Sequence, residues 1–169
     1  MLDKDEIIDW LDKYNIVGYA INEDLSVDVD GNVDLTGSSL VNIPVKFGHV
    51  SGYFGCGKNR LKSLEGCPVS VGGGFFCGSN CLVSLKGCPV EIGGVFDCGN
   101  NKLISLEGCP VRVGGKFSCL DNELVDSELF LYGCTPEQVV QYYNSKNLNE
   151  RLLSGLSEEF GVGIKKKKI

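Results

Sequence analysis

The chain has 169 residues, enough for one domain with a hydrophobic core, and a net charge of −6. That charge argues against nucleic acid as the main partner, because phosphate binding needs clustered Lys and Arg. No apolar run approaches the roughly 18 residues of a membrane span, and the opening Leu2-Asp3-Lys4-Asp5-Glu6 is charged where a secretory signal is apolar. The expectation is a soluble protein that stays in the cytoplasm of the cell that makes it, with no membrane partner.

Residues 3–14 carry Ile7, Trp10, Leu11 and Tyr14 at helical spacing behind a capping Asp3, with acids in the first turn, where the helix dipole favours them. This predicts an amphipathic helix that covers the exposed end of the next coil. Residues 16–30 alternate in polarity up to the turn cluster Asp30-Gly31-Asn32, which predicts a strand, a hairpin and then a further strand near Val33 and Leu35.

From 59 to 122 the sequence repeats itself three times with a period of 21 residues, beginning at Asn59, Asn80 and Asn101. A strict period of this size is the signature of a solenoid, whose units bury their apolar faces only against their neighbours. A degenerate copy precedes it: Leu40, Ile43, Val50, Gly52, Phe54 and Cys56 fall on Leu61, Leu64, Val71, Gly73, Phe75 and Cys77. About five short parallel strands are therefore expected, near 33–35, 54–56, 75–77, 96–98 and 117–119. The segment Gly66-Cys67-Pro68-Val69 on the other side of the coil should be extended, since proline disfavours helix in its predecessor. The pairs Gly72-Gly73, Gly93-Gly94 and Gly114-Gly115 are expected at a tight turn before each strand.

The register breaks after Asn122. Thr135-Pro136 then opens a helical pattern with Val139, Val140 and Tyr143 on one face, and 147–156 reads as a second short helix. The predicted organisation is an N-terminal helical and hairpin cap at 1–31, repeats at 32–124, a C-terminal helical cap at 125–160 and a basic tail at 161–169 containing Lys165 to Lys168.

Nine cysteines invite a metal or disulfide reading, but most follow the repeat. Cys56, Cys77, Cys98 and Cys119 form one column, and Cys67, Cys88 and Cys109 another. Columns of this kind are packing, where a buried thiol acts as a small hydrophobe. There is no Cys-x-x-Cys pair, and one histidine, His49, is too few to complete a site, so no metal is expected. His49 has no regular partner, and Cys134 lacks a catalytic domain around it, so neither supports a catalytic constellation. Gly52 to Lys58 approaches a phosphate-binding loop but lacks the following Ser or Thr, and its glycines are explained by repeat register. Ser26-Val-Asp28-Val-Asp30-Gly31 departs from a calcium loop at its first position and, with Gly37, at its twelfth. No cofactor and no enzymatic activity are expected.

Aligned from Val71, one unit resembles the leucine-rich-repeat pattern L-x-x-L-x-L-x-x-N-x-L-x-x-L, with Phe75 and Cys77 in its strand positions and Asn80 in its asparagine column. The fold implied is an α/β solenoid: leucine-rich repeats with the parallel strands on the concave side, an extended convex side and helical caps. An inward asparagine should bond the backbone of adjacent coils; Ser38 takes that place in the first unit. The leader around Trp10-Leu-Asp-Lys-Tyr14, the phrases Ser-Leu-x-Gly-Cys-Pro and Val-Gly-Gly-x-Phe-x-Cys, and the terminal Pro-Glu-Gln-Val-Val-Gln-Tyr-Tyr resemble leucine-rich-repeat proteins encoded by large tailed bacteriophages. That resemblance implies a phage protein acting in the cytoplasm of the infected bacterium, and carries no activity with it.

Between the core columns lie four outward ones: Asn32, Tyr53, Gly74, Val95, Lys116; Asp34, Gly55, Phe76, Asp97, Ser118; Thr36, Gly57, Gly78, Gly99, Leu120; and Gly37, Lys58, Ser79, Asn100, Asp121. Their variation from copy to copy makes them the natural place for specificity. Tyr53, Phe76, Val95, Asp97, Lys116, Ser118 and Leu120 are the expected partner-binding residues, aromatic and aliphatic groups with a charged surround. The expected function is a non-catalytic module that binds a host protein, such as a defence protein, and inhibits or redirects it. Two alternatives are a structural component of the virion or its assembly, and an acidic decoy presenting Asp24, Asp28, Asp30 and Asp34 to a DNA-binding protein.

Overall fold

The computed structural model describes residues 2–124 together with Gln138 and Gln141, which are helical. The expected C-terminal cap at 125–160 otherwise lies outside the described residues, as do Cys134 and the basic tail. Helix α1 (Lys4–Lys13) starts at a capping box: the Glu6 amide donates to Asp3 Oδ1 and the Asp3 amide to Glu6 Oε2, each at 2.9 Å. Strands β1 (Tyr19–Ile21), β2 (Ser26–Val29), β3 (Val33–Asp34), β4 (Lys46–Val50), β5 (Phe54–Gly55) and β6 (Ser70–Val71) come next. The series ends with β7 (Phe75–Phe76), β8 (Glu91–Ile92), β9 (Phe96–Asp97), β10 (Arg112–Val113) and β11 (Phe117–Ser118).

These strands make a parallel β-solenoid of about four turns. Each full coil contributes one strand to each of two stacks. One sheet has the order β1-β2-β4-β6-β8-β10 and the other β11-β9-β7-β5-β3. The second sheet holds the five strands expected from the repeat. Its register is 21 residues throughout, with Val33 opposite Phe54, Phe54 opposite Phe75, Phe75 opposite Phe96 and Phe96 opposite Phe117. The side expected to be merely extended forms the first sheet, a hydrogen-bonded ladder in its own right. The Val69, Val90 and Val111 amides donate at 2.8 Å to the carbonyls of Gly48, Val69 and Val90 one coil back.

One local expectation changes and another acquires its physical reason. Asp30-Gly31-Asn32 is the corner at which the chain passes from β2 in one sheet to β3 in the other. The hairpin is β1 paired antiparallel with β2, closed by a turn at 22–25 in which the Leu25 amide donates to the Asn22 carbonyl at 3.0 Å. The paired glycines do sit at a bend before each strand of the second sheet, though not for a left-handed backbone. A Cβ on Gly72, Gly93 or Gly114 would strike the carbonyl oxygen of Ser51, Gly72 or Gly93 in the preceding coil. Glycine stands there because the coils approach too closely for any side chain. The left-handed positions that recur with the repeat are Gly66, Gly87 and Gly108, and the column Lys58, Ser79, Asn100 and Asp121 with φ of 53–57°.

The core is a set of columns. Phe54, Phe75, Phe96 and Phe117 stack with successive centroid distances of 5.9, 6.1 and 5.1 Å. At the N-terminal end Phe47 joins at 5.2 Å from Phe54, and Trp10 of α1 lies 6.2 Å from Phe47. With Ile7 and Leu11 buried beneath it, α1 thus covers the end of the ring stack. Beside the rings run the fully buried Leu61, Leu82, Leu103 and Leu64, Leu85, Leu106 columns and the inward thiols of Cys56, Cys77 and Cys98.

The asparagine column ties each coil to the one before it. Asn80 Oδ1 accepts the Leu61 amide at 2.9 Å, while its Nδ2 donates to the Cys56 carbonyl at 3.0 Å and to the Cys77 carbonyl of its own coil at 3.1 Å. Asn59, Asn101 and Asn122 repeat the arrangement. Replacing Asn80 by Ala leaves the Leu61 amide without a partner in a site 9% exposed at Asn80, while the Cys56 and Cys77 carbonyls keep their bonds from Asn59 and Asn101. At about 1–3 kcal/mol for a buried unsatisfied group, the variant should lose about 1–3 kcal/mol of unfolding free energy in urea titration.

Candidate binding face on the second sheet

Outward residues of the second sheet do not form one even surface. Tyr53 and Gly55 occupy one coil; Gly74 and Phe76 occupy the equivalent places of the next. Gly55 pairs with Phe76 across the strands, and Gly74 lies 21 residues after Tyr53, so rings and glycines alternate at the corners of a square. The Phe76 ring fills the space above Gly74, where an added Cβ would lie 2.6 Å from its Cζ. Tyr53 leans over Gly55, with Cε2 3.7 Å from the place of its absent Cβ. The two rings meet edge to face, centroids 6.2 Å apart at 71°, a geometry that the ring quadrupoles favour. Phe76 nevertheless keeps 37% of its surface exposed.

This aromatic pair divides the seven expected residues. On one side of Phe76, a trench of about 320 Å³ includes Asp97, Ser118 and Leu120 in its walls and Gly57, Gly78 and Gly99 in its floor. Tyr53, Val95 and Lys116 lie on the other side, in the column of Gly74. The far wall of the trench is the left-handed column of Lys58, Ser79, Asn100 and Asp121. Asp97 has a partly structural role, because its Oδ1 accepts the Gly99 amide at 2.9 Å, just as Asp34 Oδ1 accepts the Thr36 amide at 3.0 Å. Leu120 is 60% exposed and Val95 38%.

The thiols of the two repeating columns pack against the core. Burial pushes the Cys67, Cys77, Cys88 and Cys98 thiols well above the ordinary value, and raises Cys109 and Cys119 to about 11. Such thiols are poor nucleophiles and poor metal ligands, since both roles need the thiolate. Among the described residues, no group of three or more His, Cys, Asp or Glu side chains is arranged to hold a metal ion.

His49 does have a partner. Its Nδ1 lies 2.8 Å from Ser70 Oγ, the equivalent position one coil on. Asp28 completes that column but accepts the His49 backbone amide at 2.6 Å rather than a ring N–H, so the three do not form a proton relay. That amide, followed by Asn22, holds the Asp28 carboxyl below its usual range. A 2.7 Å bond to Lys46, followed by bonds from Ser26, does the same for Asp24. Asp30 accepts from Ser51 at 2.8 Å. All four acids considered for a decoy thus serve as acceptors within the fold. Gly52 to Lys58 runs through β5 into the asparagine column, with no helix after it to complete a phosphate loop.

A second exposed feature escaped sequence reasoning. Val69, Val90 and Val111 recur in the three close copies, which points to the core, yet they are 58%, 50% and 61% exposed. Branched side chains suit a pleated ladder on either face, so their recurrence reflects the strand and not burial. Val69 and Val90 border a groove of about 820 Å³ lined also by Pro44, Phe47 and Pro68. The Pro-Val pair in each unit was the available signal.

No protein-family model matches the chain, and comparison with curated proteins and with solved structures finds no match to it. Among the described residues, no helix is long and apolar enough to cross a membrane.

The raised thiols fix an alkaline response. Cys109 and Cys119 ionise near 9.0 when unfolded and near 11 in the fold, so the folded state favours the neutral thiol. Their contribution is fully present below pH 9 and falls as pH rises towards 11. Urea midpoints measured across that range should therefore decline, and the decline should shrink in a Cys109→Ala, Cys119→Ala variant.

Proposed function

We propose that the chain is a non-catalytic binding module of the leucine-rich-repeat type, made by a large tailed bacteriophage. In this reading it acts in the cytoplasm of the infected bacterium. It docks a host protein on the outer face of the second sheet and inhibits or redirects it, a defence protein being the specific target class. The asparagine column supports the repeat assignment, since an inward asparagine bonding both its own and the preceding coil is what that pattern requires. The phage assignment rests on the sequence phrases alone.

The observation that carries the binding role is the interlocked Tyr53–Phe76 pair. Large aromatic surface is packed ring against ring, with Phe76 seated over Gly74, a trench on one flank and Val95 and Lys116 on the other. Rigid, partly exposed aromatics cost little entropy to bury and are favoured at the centres of protein interfaces. The decoy reading is weaker, because Asp24 is paired with Lys46 and Asp28, Asp30 and Asp34 accept hydrogen bonds within the chain.

Affinity capture from bacterial lysate with the full chain tests the proposal. Phe76→Asp and Tyr53→Asp should each abolish recovery of the wild-type partner while leaving the thermal unfolding transition in place. Undiminished recovery by both variants would place the contact on another surface.

A further inference from the structure

Resting on the binding role just proposed, we infer that the trench beside Phe76 takes an extended peptide segment bearing a basic side chain. Its floor is three consecutive column glycines, Gly57, Gly78 and Gly99, of which Gly78 is half-buried and the other two are buried, so no side chain stands between the two walls. These glycines have no left-handed backbone to demand them. A Cβ there would sit 3.0–3.1 Å from the next coil's carbonyl oxygen, tight but short of the collision found at Gly72 or Gly93. The full run from Thr36 to Leu120 crosses four coil steps, about 19 Å at ~4.8 Å each, the reach of about six extended residues.

Charge in the trench is uneven along its length. Lys58 stands towards one end; Asp97 and Asp121, on opposite walls, stand towards the other. Asp97 uses Oδ1 for the Gly99 amide, while Oδ2 lies 3.3 Å from where a Cβ on Gly78 would be. Among the described residues, Oδ2 accepts no hydrogen bond, and the ion pairs are Lys46–Asp24 and Arg112–Glu91, both on the side of the first sheet. Phe76 forms the adjoining apolar wall. A lysine or arginine matches this arrangement, its aliphatic stem packing along Phe76 and its cationic head meeting the two carboxylates.

The test is selection of a displayed library of random twelve-residue peptides on the full chain. Synthetic copies of the winners are then titrated against three variants. Asp97→Asn keeps an oxygen acceptor for the Gly99 amide, and Asn tolerates the left-handed backbone at 121, so the Asp97→Asn, Asp121→Asn double variant removes charge and preserves the fold. Gly78→Ala fills the trench, and Phe76→Asp breaks the aromatic wall. The expected winners carry Lys or Arg, bind at least about tenfold more weakly to the double variant and to Gly78→Ala, and weaken as salt is raised. Winners without basic residues, lost on Phe76→Asp but indifferent to the double variant, would overturn this inference and leave the binding face standing. Winners indifferent to Phe76→Asp, or no enrichment, would overturn both.

Discussion

The contact that sets the whole stack is the asparagine side chain reaching from each coil into the one before. Its two ends bond in opposite senses, Oδ1 taking an amide of the preceding coil and Nδ2 giving to carbonyls of both coils. The point it serves is where the chain leaves the second sheet and the ladder hydrogen bonds stop. Without it, amides such as that of Leu61 would be buried unpaired. Because the same atoms recur every 21 residues, the bond also fixes register: a coil one residue longer would carry its asparagine away from its partners. Phenylalanine, leucine and cysteine columns then fall into line, and burial of the whole core follows from one repeated constraint.

Much of this was legible in the residues. Period, strand positions in the second sheet, inward Phe and Cys columns, the role of asparagine and the capped helix over the first coil all rest on recurrence or spacing, which survive without coordinates. The first sheet was not legible. Its strands beyond β4 lie between Pro68 and Gly72-Gly73 and their equivalents, so the flanking prolines and glycines read as extended chain and turn and not as a ladder. The same glycines looked like turn residues because glycine marks both a left-handed backbone and a close approach, and only the position of the neighbouring coil separates the two. Conversely, Lys58, Ser79, Asn100 and Asp121 adopt left-handed backbone without the glycine that would have announced it.

The division between recurring letters as packing and varying letters as surface also needs refinement. Val69, Val90 and Val111 recur and are exposed; Asp97 varies and yet closes a turn in its own strand. What the coordinates add to the candidate face is pairing between columns. Phe76 sits over Gly74 of its own coil and packs against the Tyr53 ring of the coil before, so two apparently independent variable columns are one packed unit. The trench likewise arises from a glycine column that register alone explained away.

Whether asparagine holds the coils together can be read from amide hydrogen exchange at Leu61, Leu82 and Leu103, because these amides donate to asparagine Oδ1 and not to a strand. If the side chains do so, all three should exchange only through global unfolding, as slowly as the Phe75 and Phe96 amides of the second sheet. Fast exchange at the three leucines, with the strand amides still protected, would show that the coils stack without the asparagine bonds and would contradict their central role.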